Sequence, residues 1–433
     1  MTQKATTPAI SDEQLLQCMH CGMCLPTCPT YSLTLRERSS PRGRIRLIKK
    51  FSGGELGLSE TFVEEMNFCL NCRACETACP AGVDYHHLLE FARVAVRSNT
   101  KRSVLQKLGK ALLDKLFTRP HLLKKLARVL YFYQKSGLER LVLASGILRL
   151  LPGNLERTAR LSPRISPRPA SEILPEKIPA KGEKMYTVAL LTGCVQDVSF
   201  AEVTRHAAEV LAWNGCEVHV PRGQVCCGSL HGHIGDLETA GALFSRNAAA
   251  FDVSRFDAII VTAAGCGSFM KEYRDTFAAA GENLRQRAEA FSAKVRDIHE
   301  FLAEIPLKKP QRHLPLTVTY HDACHLAHAQ KITRQPRQLL EMIPGLTLVP
   351  LPESTWCCGS AGTYNLTHPE PAFALLERKI SNIAGTCATV VASANPGCSI
   401  QIAYGLKEKG MQTEVVHPIS LLWQAYGLGE EKW

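Results

Sequence analysis

The sequence predicts a multidomain α+β protein: a helical, cysteine-dense head, a basic helical segment, and two duplicated α/β units. Three observations carry that reading. The cysteines of the head fall into two runs of identical spacing. Between Lys101 and Lys184, 19 Lys+Arg stand against 6 Asp+Glu, which leaves the rest of the chain slightly acidic. Beyond that segment, cysteine markers recur at a near-constant offset, each behind an apolar, strand-like run. The expected boundaries are 1–100 for the head, 101–184 for the basic segment and a Pro-rich linker, then 185–310 and 311–433 for the two units. A chain of 433 residues has room for each to bury a core.

The first run of the head is Cys18, Cys21, Cys24 and Cys28, followed by Pro29; the second is Cys69, Cys72, Cys75 and Cys79, followed by Pro80. Both read C-x2-C-x2-C-x3-C-P. A [4Fe–4S] cube takes one thiolate per iron. A C-x2-C-x2-C loop wraps the cube with three, and the fourth cysteine serves the neighbouring cluster. The expected ligand sets are therefore Cys18, Cys21, Cys24 and Cys79 for one cluster, and Cys69, Cys72, Cys75 and Cys28 for the other. Structural zinc uses separated C-x2-C knuckles, which this doubled run does not resemble. Ser11 with Gln14, and Thr61 with Glu64, make capping-box patterns ahead of LLQC and MNFC. The forty residues between Cys28 and Cys69 hold helical material (SPRGRIRLIKKF), so the expected head is a helical version of the two-cluster ferredoxin module.

The basic segment mixes Lys and Arg with apolar residues in VLQKLGKALLDKLF and HLLKKLARVLYFYQ, a pattern of amphipathic helices. A solvated face and a peripheral membrane contact both fit it. No aromatic interleaving specifies nucleic acid, and none is expected as a partner. The junction SPRISPRPASEILPEKIPAKGEK reads as a semi-extended linker. The N-terminus has no apolar h-region, and LVLASGILRLL is short for a membrane span and carries an arginine. A cytoplasmic location is expected, and there eighteen cysteines argue for metal or redox chemistry over a disulfide framework.

The first α/β unit places Cys194 behind TVALLTGC, Cys226 and Cys227 behind CEVHVPRGQVCC, and Cys266 behind DAIIVTAAGC. The second places Cys324 behind LTVTYHDAC, Cys357 and Cys358 behind LTLVPLPESTWCC, and Cys398 behind ATVVASANPGC. Offsets of 130, 131 and 132 residues relate the markers. Helical patterns alternate with these runs, which implies mainly parallel sheets with the cysteines gathered at their carboxyl edges. Each set of four thiols can hold a further cluster; a redox dithiol, a vicinal disulfide or inert buried cysteines also fit. Cys216 and Cys387 fall outside the pattern and read as core cysteines. His231, His233, His321, His325 and His328 lie near the markers; His325 and His328 suit either a ligand pair or polar packing. No G-x-G-x-x-G after a strand, P-loop or nucleophile elbow is found, so no catalytic residue is assigned.

These residues resemble a known family. CMHCGMCLPTCPTY with SPRGRIRLIK, and CLNCRACETACPAGVDYHHLLE, are similar to the head of the glycolate oxidase (glycolate dehydrogenase) iron–sulfur subunit. TAAGCGSFMKEY, HAQKI, CCGSAGTYNLTHPE and ANPGC are similar to its two cysteine-rich (CCG) domains. The CCG repeat is shared with heterodisulfide reductase, lactate-utilisation proteins and the anaerobic glycerol-3-phosphate dehydrogenase iron–sulfur subunit. The wider pattern often closes with C-x2-C; here that last position is Phe269 in one copy and Gln401 in the other, leaving four cysteines in each. The resemblance implies FAD-binding partner subunits that oxidise glycolate to glyoxylate. It also implies electron relay through this chain to a quinone or other membrane acceptor, on the cytoplasmic face of the inner membrane. The alternatives it carries are the iron–sulfur subunit of a related D- or L-lactate or glycerol-3-phosphate dehydrogenase complex, and thiol/disulfide catalysis of the heterodisulfide-reductase type at the CCG motifs.

Overall fold

A computed structural model describes residues 10–99, 114–149 and 155–428. The head contains helices and loops only among its described residues: Asp12–Leu16, Pro29–Thr34, Pro41–Ser52, Glu60–Phe68, Ala74–Thr77 and Tyr85–Asn99. Ile45, Ile48, Phe62, Met66, Leu88, Leu89 and Ala92 fill its core. Ser11 and Gln14 make the expected capping box. The second cap differs from expectation. Ser59, with extended backbone, caps the helix through the Phe62 N–H, and Thr61 lies inside the first turn. A Ser directly before the first helical residue offers its oxygen sooner than the Thr does.

After the head, helices Pro120–Lys135, Leu138–Ala144 and Leu155–Arg160 run along the surface. Only Ala127 of the first is buried. They are tied to the rest by Gln134, whose amide donates to the Pro163 carbonyl at 2.9 Å and accepts from the Ile165 N–H at 3.0 Å. No helix of the described residues is long and apolar enough to cross a membrane.

Two sheets follow. The first has the order β1-β3-β2-β4-β5, from β1 (Lys177–Ile178), β2 (Tyr186–Leu190), β3 (Cys216–His219), β4 (Ala258–Val261) and β5 (Val295–Asp297). The second has the order β7-β6-β8-β9, from β6 (Thr317–His321), β7 (Thr347–Val349), β8 (Val390–Ser393) and β9 (Glu414–Val416). Omitting β1, the two orders coincide strand for strand and every pairing is parallel. The sequence reading missed β1, β5 and β9, which are two or three residues long and too short for a periodic signal. The strand β1 also changes the picture of the linker, because Lys177 and Ile178 pair antiparallel with His219 and Val218 and cover an edge of the sheet.

The two units share one core. Val188, Leu190 and Val218 of the first sheet and Val318, Tyr320 and Val390 of the second belong to one apolar cluster. Helix Ala201–Trp213 packs on Pro418–Ala425, and His299 stacks on His417 at 5.3 Å between ring centroids. Cys216 is buried in this core as expected, whereas Cys387 is exposed. Cys387 sits at φ 53° in the loop beyond helix Pro369–Ala384, past the last apolar face of that helix.

Candidate metal centres

The two head runs adopt the same loop. His20 and Gly22 in the first, and Asn71 and Arg73 in the second, all have left-handed backbone, at matching places between the cysteines. Each run therefore curls so that its first three thiols face inward. Cys18, Cys21, Cys24 and Cys79 line one cavity, with Cys75 of the second run also on its wall, closed by Pro41, Ile45, Pro80 and Tyr85. At Gly22 a Cβ would sit 2.9 Å from the Arg42 guanidinium, which donates to the His20 carbonyl and is held by Glu37, so a side chain there would have to displace that arginine.

Cys28 turns away from its own run. Burial pushes its thiol up, the Arg44 charge pulls it down, and Cys69 acts on it as a neighbouring charge. Cys72 and Cys75 are likewise within electrostatic reach of both Cys28 and Cys69. Fully buried Arg44 donates to Thr30 Oγ1, the Ser39 carbonyl and the Glu65 carbonyl, and Arg93 donates to the Met66 and Cys69 carbonyls. These guanidiniums fix the second loop and supply positive charge beside its thiols.

In the first α/β unit, Cys194, Cys226, Cys227 and Cys266 form a chain of thiol contacts at the carboxyl edge of the sheet. Asn247 holds the cysteine pair by accepting from the Val225 N–H at 2.8 Å and donating to the Cys226 carbonyl at 3.1 Å. The Tyr273 hydroxyl donates to the Cys227 carbonyl. In the second unit Cys324, Cys357, Cys358 and Cys398 form the corresponding chain. Both glycines that follow the pairs have left-handed backbone, at φ 88° for Gly228 and 87° for Gly359. They also lie against a helix, so a Cβ on Gly359 would overlap the Ala372 carbonyl oxygen.

The second unit differs in what surrounds its thiols. Lys379 is buried, and its ammonium donates to the Glu353 carbonyl at 2.5 Å and the Ser354 carbonyl at 3.2 Å. Burial brings its pKa down to about 8, against the pull of Cys358 and Cys357. The His321 ring lies beside Cys358 and Cys398. Sequence reasoning missed Lys379 and Asn247. The signal for Lys379 is its register, since Leu375, Leu376, Lys379, Ile380 and Ile383 share one buried helix face.

The remaining histidines make other contacts. His325 Nε2 lies 2.9 Å from the Asn71 carbonyl, and His328 Nδ1 lies 3.0 Å from Thr77 Oγ1, so both join the second unit to the head. His231 pairs with Asp114 at 3.2 Å, and His233 faces Asn71. Phe269 packs edge-on to His233 and Tyr273, and Gln401 accepts from Asn365 at 2.9 Å.

The head seats on both units. Arg73 pairs with Glu272, and His86 lies 3.1 Å from Glu90 and 3.4 Å from Glu272. Burial opposes a charge on His86, but the two carboxylates outweigh it and hold its pKa well above the usual histidine range. Phe68, Leu70 and Cys72 of the head pack directly with Cys324, Trp356, Cys357 and Tyr364 of the second unit. Cys324 is close enough to Cys72 to raise its pKa further, on top of the larger effect of burial.

Every cysteine of the described residues is a free thiol. Sixteen of the eighteen belong to these groups of four. Thiols converged at buried or half-buried positions suppress one another's ionisation, through desolvation and like charge, unless a cation shares the site. The donor sets thus fit iron–sulfur clusters.

Comparison with known proteins agrees with this layout. A 4Fe-4S dicluster domain matches residues 17–83, a glycolate oxidase iron-sulfur subunit linker region matches 103–162, and a cysteine-rich domain (CCG) matches 188–271 and 318–403. The chain is 36% identical over 424 residues to a probable glycolate oxidase iron-sulfur subunit of Bacillus subtilis, covering 96% of this chain and 95% of the relative. It is 33% identical over 426 residues to the glycolate oxidase iron-sulfur subunit of Escherichia coli, at 96% and 95% coverage. Lactate utilization protein A of Oceanobacillus iheyensis is 29% identical over 236 residues, 54% of this chain and 96% of that protein.

Proposed function

The chain belongs to the glycolate oxidase iron–sulfur subunit family, and from that premise we propose that it relays electrons in a glycolate-oxidising complex. In this reading, FAD-binding partner subunits convert glycolate to glyoxylate, and a quinone in the membrane takes the electrons. Cys18, Cys21, Cys24 and Cys79 hold one [4Fe–4S] cluster, and Cys69, Cys72, Cys75 and Cys28 hold the other. Cys194, Cys226, Cys227 and Cys266, with Cys324, Cys357, Cys358 and Cys398, hold further metal centres in the CCG domains. The observation that carries the reading is the packing of Cys72 against Cys324 and Cys357, which makes the head and the second CCG thiols neighbours. When bound, such clusters take up and release single electrons, the step that must lie between a two-electron donor and a one-electron chain.

The protein's own groups suit that role. Arg44, Arg93 and Lys379 place cations beside buried thiolates and offset the charge that accumulates there. Phe68, Leu70, Trp356 and Tyr364 share one apolar cluster with Cys72, Cys324 and Cys357, which lowers the polarity around that contact.

The surface helices supply the membrane contact. Val129, Phe132, Leu138, Leu141 and Ile147 are exposed among the basic side chains of this segment, the composition of an interfacial helix on an anionic leaflet. Flotation with vesicles should be strong for anionic lipid, weak for zwitterionic lipid and abolished by Phe132→Asp. Equal binding to both lipids would remove this part of the reading.

The decisive experiment on the relay is to recover the native complex through this chain and assay it with glycolate and with D-lactate. The expected result is a flavoprotein co-purifying with about eight irons or more per chain and electron flow from glycolate. Recovery of stoichiometric zinc without iron would overturn the assignment, and turnover of D-lactate alone would reassign the substrate.

A further inference from the structure

The second CCG domain contains a donor that the first lacks. His321 ends β6 at the carboxyl edge of its sheet and is fully buried. Neither of its ring nitrogens makes a hydrogen bond. Buried polar groups are almost always paired; the Ser354 carbonyl faces the ring and can pair one nitrogen, and the other calls for an occupant. One ring nitrogen and the thiol sulfurs of Cys358 and Cys398 all lie within 4.8 Å of one another. A tetrahedral ion bound by two thiolates and one imidazole holds its donor atoms roughly 3.5–3.8 Å apart. The three side chains are therefore within about 1 Å of closing on a single ion.

The repeat provides an internal control. At the offset of 130 residues that relates Cys194 to Cys324, the counterpart of His321 is Leu191. Leu191 is buried in the same apolar cluster as Cys226 and Cys227. The place beside the thiols is thus occupied in both copies, by hydrocarbon in one and by imidazole in the other.

We propose that His321 is a metal ligand, joining Cys358 and Cys398 so that the second CCG centre has a mixed nitrogen–sulfur donor set while the first has sulfur alone. The Ser354 carbonyl faces the same ring. It can accept the N–H of the nitrogen not bound to metal, the outer-shell partner that orients most ligating histidines. This inference rests on the reading that the CCG thiols hold metal.

The test uses the full chain, purified anaerobically from cells fed ordinary or isotopically labelled histidine and reduced with dithionite. Pulsed EPR should detect nitrogen coupling of a directly bound imidazole that changes with the isotope. His321→Leu, which installs the residue the first copy already tolerates, should abolish that coupling. It should also speed loss of metal to EDTA tenfold or more, as expected when a ligand's support is removed. His321→Cys should restore metal retention but not the nitrogen signal, and it serves in place of the leucine variant should that one fail to fold. Absence of the coupling in wild-type protein, or its survival in either variant, overturns the proposal. Metal counts on the Cys357→Ser/Cys358→Ser double variant separate this failure from a deeper one. If that variant holds as much metal as wild type, the second site binds none and the underlying reading falls as well.

Discussion

The two CCG domains share a strand order and a chain of four thiols, yet they have been given different surroundings. Around the first, Leu191, Asn247 and Tyr273 offer hydrocarbon, a neutral amide and a phenol. Around the second, His321 and Lys379 offer an imidazole and an ammonium, and the head packs directly on Cys324 and Cys357. Asn247 and Lys379 occupy equivalent positions, 132 residues apart, as do Ala240 and Ala372, which back the two glycines. After duplication the backbone kept the thiols in place, while the side chains around them set local charge. The difference teaches that a repeated ligand pattern does not imply a repeated role.

The largest expected effect contrasts the thiols themselves. Cys358→Ser and Cys227→Ser should each remove metal from their own domain, but electron flow from glycolate should collapse only for Cys358→Ser. Equal loss in both variants would break the asymmetry and place the two centres on one obligatory path.

The glycines come next. Gly228→Ala and Gly359→Ala both force alanine into left-handed backbone, at about 1–2 kcal/mol. In Gly359→Ala the new methyl also meets the Ala372 carbonyl, whereas at Gly228 the nearest atom is the Ala240 Cα at 3.3 Å. Denaturant midpoints should therefore fall further for Gly359→Ala by at least about 1 kcal/mol. Matching midpoints would mean that the helix behind Gly359 moves aside freely.

Lys379→Met and Asn247→Leu sharpen the electrostatic half of the comparison. Each leaves buried backbone groups unpaired, at about 1–3 kcal/mol. Only Lys379→Met deletes a charge, so only it should lower the reduction potential of its centre in a redox titration, since reduction adds an electron that the cation favours. A potential unchanged in Lys379→Met would show that the ammonium serves packing alone.

The smallest effect concerns the seat of the head. His86 has a folded pKa raised above its unfolded value of about 6.5. Its contribution is therefore fully present below about pH 6.5 and is lost as pH rises through the raised value. Glu272 is depressed despite its burial, with His86 and Arg73 as the main opposing causes; its contribution is present above the usual carboxylate range and is lost on acidification. Hydrogen-exchange protection along Tyr85–Asn99, taken relative to the intrinsic exchange rate at each pH, should fall as the solution is made alkaline, and His86→Gln should flatten that response. An unaltered pH profile in the variant would assign the effect to another group.

Much of this architecture was legible from the chain. The doubled C-x2-C-x2-C-x3-C-P run is a local code, because three thiols on one loop need only the backbone turns at His20, Gly22, Asn71 and Arg73. The near-constant offsets exposed the duplication, and the apolar runs before each cysteine became β2, β3, β4, β6, β7 and β8. Their place at the carboxyl edges followed from parallel strand geometry. What failed was short or context-dependent: the edge strand β1, the cap at Ser59, and the exposure of Cys387. None of these leaves a periodic mark.

The sequence by itself determined the spacing and repetition from which the four groups of thiols are proposed, because both act along the chain. Only the tertiary structure decided who the neighbours are. Cys72 meets Cys324 across a domain contact, His321 reaches Cys358 and Cys398 from another strand, and Lys379 arrives from a helix behind them. Those approaches are products of packing between elements far apart in sequence. The charge, dielectric and donor type that tune a buried metal centre depend on such packing, and no motif encodes them.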